Sequence, residues 1–328
     1  IYMKAKNCLI FGGSGQIGGS LIRKLTKDNI KVTVVTRNIH QKSLKIKTQG
    51  NAGYIDIRES SIYDENKIQK LFSEADFCVN LVGILYESKK GNTFRNIHTV
   101  FPTLLAKLCK KYDLKNFLHI SALGINEASD SKYAISKLEG EKNILNNFPK
   151  ATILRPSVVF SITDNFSTLF MTLLNRLPFF PIYYSGKTKF TPIHCSDLTD
   201  IIHQVLLKKN DSQIIECVGP EVLTFKEILE ILLNLIDKKR FLIPMPLTLA
   251  NFSAKFFQLF PKPLLTQDQL RLLKYDNIAS GKYKTNNDIG IPSKLFFRNE
   301  VKKYSYMWRD GGQFSTEKYN IDNLNRNN

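Results

Sequence analysis

The stretch Asn7-Cys8-Leu9-Ile10-Phe11-Gly12-Gly13-Ser14-Gly15-Gln16-Ile17-Gly18 decides how the rest of the chain is read. An apolar run reads as a strand and passes directly into a turn with glycines at Gly12, Gly15 and Gly18. A helical pattern follows, from about Gly15 to Lys27. At this spacing Gly12 permits the tight turn, Gly15 lets the backbone approach a pyrophosphate, and Gly18 lets the helix pack close to the strand. The free N–H groups and the dipole at the helix start favour an anion there. A glycine triplet alone is a weak signal. Set between strand one and helix one of a repeating pattern, it points to a dinucleotide-binding unit, with Gly12, Ser14, Gly15, Gln16, Ile17 and Gly18 around the pyrophosphate.

That pattern repeats outward. Strands are predicted over Lys31 to Thr36, more weakly over Gly53 to Ile57, and over Asp76 to Val82, Asn116 to Ser121 and Ala151 to Arg155. Helices near 65–72, 98–112 and 133–147 separate them. The alternation predicts an α/β, Rossmann-type doubly wound parallel sheet with its ligand at the carboxyl ends of the strands. After Pro156 the rhythm changes. Helices near 165–177, 196–208, 224–237, 247–260 and 266–275 are mixed with an apolar strand from Gln213 to Val218 and with Pro-rich segments at 177–181 and 243–246. The prediction is a Rossmann domain over 1–160, with elements near 190–220 returning to the sheet, and a smaller mixed C-terminal cap domain over 161–309. The polar tail 310–328 is expected to be disordered. The 247–260 stretch, with Phe at helical spacing, reads either as a core helix of the cap or as a helix facing a partner or membrane surface.

Composition narrows the classes. The 328 residues carry 47 basic and 29 acidic side chains, a net charge of +18. The lysines are spread along the chain without aromatic interleaving, which argues against nucleic acid; a biased genome composition explains much of the excess, and the functional reading is a basic face toward anionic lipid or an acidic protein. Cys8, Cys78, Cys109, Cys195 and Cys217 form no CxxC pair and read as buried free thiols of a reducing compartment. The histidines show no metal-ligand spacing. No apolar run approaches the roughly 18–20 residues that span a bilayer. The segment Ile1–Lys6 carries neither a secretory apolar region nor an Arg/Ser-rich transit helix, so a cytoplasmic or already processed chain is expected.

Two further features bear on chemistry. Strand two ends at Arg37, with Lys42 close behind and no carboxylate nearby in sequence. An arginine there suits a 2′-phosphate, which points to NADP(H), with NAD(H) as the alternative. Tyr133 and Lys137 stand four apart on a predicted helix, so the ammonium can lower the phenol pKa and hold the nicotinamide ribose while the tyrosine acts as general acid or base. Tyr63…Lys67 and Tyr86…Lys90 share the spacing. Only Tyr133 begins the long helix between strands five and six.

The chain resembles the extended and atypical short-chain dehydrogenase/reductase superfamily. Within it, it is most similar to the NAD(P)-binding accessory subunits of respiratory complex I, the thirty-nine-kilodalton type, and their alphaproteobacterial relatives. The residues that carry the likeness are Phe11 to Gly15, Val79-Asn80-Leu81-Val82-Gly83-Ile84-Leu85-Tyr86, His119 to Gly124, Tyr133 to Glu141, Ile153 to Phe160, Val218 to Phe225 and Leu265-Thr266-Gln267-Asp268-Gln269. The resemblance implies that Leu81, Val82 and Gly83 lie along the adenosine ribose and pyrophosphate. It puts Ser121 and Ala122 on the nicotinamide side and Pro156, Ser157 and Val158 at the carboxamide. It also shows departures. By position Leu123 replaces a substrate-polarising Ser or Thr, His98 replaces an asparagine, and Ser61 stands where an acidic or amide side chain commonly meets adenine. The implied role is a subunit that holds NADP(H) structurally on the hydrophilic arm of complex I, near the quinone site. It would be peripheral at the inner face of a bacterial membrane, or on the matrix side in an organelle. The alternatives are an active NAD(P)-dependent oxidoreductase or epimerase, with ubiquinone biosynthesis the nearest candidate, and an NADP(H)-sensing regulator.

Overall fold

A strand covered on both faces must be apolar throughout, and β1 (Asn7–Phe11) is: Cys8, Leu9, Ile10 and Phe11 are all buried in the computed structural model. The structure describes residues 6–88, 91–208, 213–246, 248–249 and 265–314. Around β1 lie β2 (Lys31–Thr36), β3 (Ile55–Glu59), β4 (Phe77–Asn80), β5 (Asn116–Ile120) and β6 (Thr152–Pro156). With β11 (Ile214–Cys217) and β14 (Lys284–Thr285) they form one eight-stranded sheet in the order β14-β11-β6-β5-β4-β1-β2-β3. Every pairing in it is parallel. The strand order reverses between β1 and β4, which opens a crevice at their carboxyl ends. The glycine turn lies there.

Alternation along the strands divides the core into two layers. Cys8, Ile10, Val32, Val34, Val79 and Leu118 face α1 (Gln16–Lys27) and α7 (Cys195–Leu207). Leu9, Phe11, Cys78, Phe117 and Ile153 face α3 (Glu65–Leu71), α4 (Phe101–Lys111) and α5 (Lys132–Asn147). Each fully buried side chain of this kind contributes about 1.5–3 kcal/mol. A π-helical turn, Arg95–Val100, precedes α4 where a continuous helix from 98 is expected. Gly140 lets α5 press against that turn, since a Cβ there would lie 1.9 Å from the His98 carbonyl oxygen. The third strand sits slightly later than its expected 53–57. The sequence reading has no helix over α2 (Ile39–Lys47), because Ile46 is its only buried residue and one anchor gives no periodicity.

A third cluster holds the cap together. It joins β7 (Val159–Phe160), α6 (Ser167–Arg176), β8 (Phe179–Ile182), β9 (Lys189–Phe190), α8 (Phe225–Leu235) and α10 (Phe297–Ser305) through Phe160, Met171, Phe180, Phe190, Leu232 and Phe297. Its rings meet edge to face, as in Phe160–Phe297 at 4.9 Å and Phe170–Phe225 at 5.4 Å. Three short pairings complete it. β10 (Ile193–His194) lies beside β7, β12 (Leu223–Thr224) beside β9, and β13 (Phe241–Pro244) beside β8. The helix α9 (Gln267–Leu272) reaches the start of α5 through Asp268. All five cysteines are buried and unpaired. The expected helix near 247–260, apart from Thr248 and Leu249, and the tail beyond 314 lie outside the described residues. Among the described residues, no helix is long and apolar enough to cross a membrane.

Candidate functional site: a dinucleotide cradle with a Tyr–Lys pair

The turn after β1 works by close approach. Gly12 has φ +83°, a left-handed conformation suited to glycine, and the Gly15 amide donates to Gly12 O at 3.1 Å. A Cβ on Gly18 would lie 2.4 Å from Gly13 Cα, and one on Gly13 would lie 2.5 Å from Val34 Cγ1. Gly18 therefore packs on the turn itself rather than on the strand, and Gly13 is a fourth glycine that the spacing argument did not single out. Gly15 is the N-cap of α1, which has neither a side-chain cap nor an acidic residue in its first turn. Its first amides are left to meet an anion. Gln16 ties the turn to the β7 segment, accepting from Ser161 Oγ at 2.8 Å and donating to Val159 O. Ile17 packs on the core below, and Ser14 is half-buried in the turn. A cleft of about 910 Å³ also borders the turn, but it runs along the outer side of α1 past Arg23, Lys24 and Lys27, away from Tyr133 and Lys137.

Arg37 directly follows β2, is exposed, and makes no ion pair among the described residues. The expectation of no carboxylate nearby is corrected here. Glu59 ends β3 in register with Thr36, and its Oε1 accepts from the Ile39 amide at 3.0 Å. The fold brings this group across from the next strand and engages it on the start of α2. Ser61 is exposed and accepts from the Tyr63 amide.

Lys137 anchors the other end. It is buried, its Nζ donates to Ile120 O at 3.1 Å, and burial lowers its pKa to about 8 against the opposing pull of Glu141. The Leu81 amide donates to Phe11 O and the Val82 amide to Asn80 Oδ1. Gly83 then passes over the ammonium, where a Cβ would stand 3.6 Å from Nζ. His98 fastens this segment to α5. Its Nε2 accepts from the Ile84 amide at 3.2 Å, so Nδ1 carries the proton and donates to Ser136 Oγ, which donates to Tyr133 O at 2.7 Å. Burial and the Lys137 charge push the His98 pKa down to about 2, so the imidazole is a neutral staple in place of the asparagine.

Lys137 Nζ stands 5.7 Å from the Tyr133 ring centroid, and the tyrosine hydroxyl makes no hydrogen bond among the described residues. The phenol pKa is raised, by burial first and then by the Asp268 carboxylate. This reverses the expected lowering, because desolvation outweighs a cation placed over the ring. Beneath the pair, Asn80 Nδ2 donates to His119 Nδ1 at 3.0 Å, which places the proton of His119 on Nε2. That Nε2 and Ser121 Oγ are buried without a protein partner. Buried polar groups are costly unpaired, so these two mark where a bound group would be satisfied.

The substrate side is different. Leu123 is buried, its amide donating to Pro156 O and its carbonyl accepting from Asn277 Nδ2. The residue that packs in the small cluster containing Tyr133 is its neighbour Ala122. Neither side chain can donate. The Ser157 side chain is engaged away from the cleft. Its Oγ donates to Asn277 Oδ1 at 2.6 Å and accepts from the Thr191 amide, so the hydroxyl is spent on the seam with the cap. Pro156 is buried, and the half-buried Val158 accepts at its carbonyl from the Ile193 amide. Two residues escaped sequence reasoning as site parts. Asn277 closes that seam. Asp268 caps α5, accepting from Ser131 Oγ at 2.7 Å, Lys132 N at 2.8 Å and Tyr133 N at 3.0 Å. The one available signal was the capping pattern Thr266…Gln269 around it.

A parallel sheet, an uncapped glycine turn at its switch point and a Tyr–Lys pair on the helix before β6 define a Rossmann-type protein built for a nicotinamide dinucleotide. Residues 8–217 match the NAD dependent epimerase/dehydratase family, and the chain belongs to it. It is 26% identical over 316 residues to the mitochondrial NADH dehydrogenase (ubiquinone) 1 alpha subcomplex subunit 9 of Arabidopsis thaliana, covering 92% of this chain and 78% of that one. It is 25% identical over 284 residues to the mitochondrial NADH-ubiquinone oxidoreductase 40 kDa subunit of Neurospora crassa, covering 86% and 74%. Among solved structures, UDP-glucuronic acid 4-epimerase from Bacillus cereus, in complex with UDP-glucuronic acid and NAD, superposes with a TM-score of 0.69 at 17% identity, covering 91% of this chain and 98% of that one.

Proposed function

We propose that this chain is an NADP(H)-holding accessory subunit of respiratory complex I. It would sit on the hydrophilic arm with a peripheral contact to the inner face of the membrane, and keep its nucleotide without turning over a substrate. The names of its relatives support the assembly. The observation that carries the non-catalytic part is the pairing of a full dinucleotide cradle with Ala122 and Leu123 where a hydroxyl donor is needed. Gly12, Ser14, Gly15, Gln16, Ile17 and Gly18 would hold the pyrophosphate, Arg37 the 2′-phosphate, and Leu81, Val82 and Gly83 the adenosine ribose. Ser121, Tyr133 and Lys137 would hold the nicotinamide ribose, and Pro156, Ser157 and Val158 would meet the carboxamide. A bound nicotinamide supplies hydride chemistry. An absent oxyanion donor typically costs about 10²–10³ in kcat.

Purification of complex I from native membranes, with extraction of nucleotide from this chain, tests the reading. The expected result is co-purification with bound NADP(H) and no oxidation across ketone, sugar-nucleotide and quinone panels. Absence of the chain from the complex overturns it. Arg37→Ala is expected to weaken NADPH by about tenfold or more while leaving NADH unchanged; an unchanged preference removes the 2′-phosphate assignment. One observation favours a second reading, an active oxidoreductase or epimerase: Tyr133 is only half-buried and its hydroxyl makes no hydrogen bond among the described residues. Steady NADPH turnover abolished by Tyr133→Phe would support that instead.

A further inference from the structure

The ribbon β8–β13 breaks the rule that a half-covered strand alternates apolar and polar faces. Its register pairs Phe241 with Phe179, Leu242 with Phe180 and Ile243 with Pro181. Phe180 and Leu242 face the cap core. The opposite face is apolar as well and open to solvent, with Phe241 79% exposed, Phe179 57% and Ile243 48%. Rings this exposed on one contiguous face mark an interaction surface. Charge around the ribbon selects the partner. There is no Asp or Glu from Asn165 to Ser196, the stretch that holds β8, nor from Lys238 to Gln267, the stretch that holds β13. Arg176 lies just before β8, and Lys238, Lys239 and Arg240 just before β13, so the cations gather at one end of this parallel ribbon. Lys238 is paired with Asp310 at 2.6 Å, and Arg240 is turned onto the carbonyls of Leu174 and Asn175. Arg176 and Lys239 are exposed and make no ion pair among the described residues.

We infer that the outward face of β8–β13 is a peripheral membrane-docking surface for anionic phospholipid, with Phe179, Phe241 and Ile243 entering the acyl boundary and Arg176 and Lys239 meeting the headgroups. Exposed rings with Arg176 and Lys239 unpaired at one edge match a bilayer interface, where headgroup charge and hydrocarbon are layered in that order; the acids at that edge are Asp237, next to Lys238, and Asp310, already paired with Lys238. The sequence beyond the ribbon continues the same chemistry, with Phe252, Phe256, Phe257 and Phe260 among Lys255 and Lys262. This inference deepens the peripheral-contact part of the proposed function and is separable from the complex I part.

Flotation of the purified full chain with vesicles of phosphatidylcholine, with and without phosphatidylglycerol, tests it at low and high salt. The expected result is binding to the anionic vesicles that weakens in high salt. Phe179→Ser with Phe241→Ser should lower it about tenfold or more, and Lys239→Ala about fivefold, with the thermal midpoint unchanged. Failure of the wild-type chain to bind, or binding indifferent to the double substitution, overturns the inference. So does a double variant that melts earlier yet binds normally, because the face is then covered by the chain itself. So does a dimer of the wild-type chain that the double variant abolishes, because the partner is then a second copy. A chain that floats but does not co-purify with complex I leaves this inference standing and removes the other; the reverse result removes this one alone.

Discussion

The two ends of the cleft at the carboxyl edge of the sheet are finished to different degrees. At the dinucleotide end most features favour an anion: glycines that admit no side chain, an uncapped helix start, a buried ammonium and two buried polar atoms without partners, with the Glu59 carboxylate already held by the Ile39 amide. On the substrate side the Ser157 hydroxyl and the Leu123 carbonyl are already used, while the Tyr133 hydroxyl makes no hydrogen bond among the described residues. Ser157 and Leu123 are bound to Asn277, and Ala122 and Leu123 offer no hydroxyl. Holding a cofactor and using it are separable demands on one fold, and the proposed function rests on that separation.

The largest effect should come from the turn. Gly18→Val forces a side chain into the Gly13 backbone, and the expected outcome is loss of bound nucleotide with destabilisation of about 3 kcal/mol or more. Full nucleotide retention by that variant, read by extraction and thermal melting, would break the contrast at its strong end. Next is Asp268→Ala, which strips a carboxylate from three donors at the start of α5. A loss of about 2–4 kcal/mol is expected from denaturant unfolding, and a loss below about 0.5 kcal/mol would show that the cap does not brace the Tyr–Lys helix.

Lys137 gives a pH signature. Its folded pKa of about 8 lies below its ordinary 10.5, so the folded state binds fewer protons between those values. The stabilising contribution is present above 10.5 and lost as pH falls through 8. Nucleotide binding runs the other way, because it needs the ammonium: affinity should fall as pH rises through about 8. Lys137→Met should bind about tenfold more weakly at neutral pH and show no such step. A wild-type affinity flat from pH 7 to 9 would detach the lysine from the cofactor. The smallest effect is expected for Tyr133→Phe, which removes a hydroxyl that has no partner among the described residues. Stability should move by less than about 0.5 kcal/mol and nucleotide should be retained. A large loss on melting would show that the hydroxyl has a structural partner, and release of the nucleotide would show that its proposed ribose contact, more than Lys137, holds the cofactor.

Much of this architecture was legible in the sequence because its signals are local. The strand, turn and first helix are contiguous, so the glycine spacing and the burial of Cys8 to Phe11 are written in one short run. Tyr133 and Lys137 were placed correctly between strands five and six for the same reason. Where the local pattern thins, legibility fails. One buried isoleucine hides α2, and the two-residue strand β14 has no periodicity to read.

The sequence by itself determined the parallel sheet, the glycine turn and the spacing of Tyr133 and Lys137, since each depends on residue type at short spacing. Only the tertiary structure decided the electrostatics of the site. Glu59 reaches the start of α2 across 20 residues, and Asp268 reaches Tyr133 across 135. Burial, which no spacing reports, turned the tyrosine away from the lowered pKa that its lysine suggested. Desolvation and long-range contacts belong to the packed chain, and they shift the charge states of a pair whose spacing is legible in the sequence.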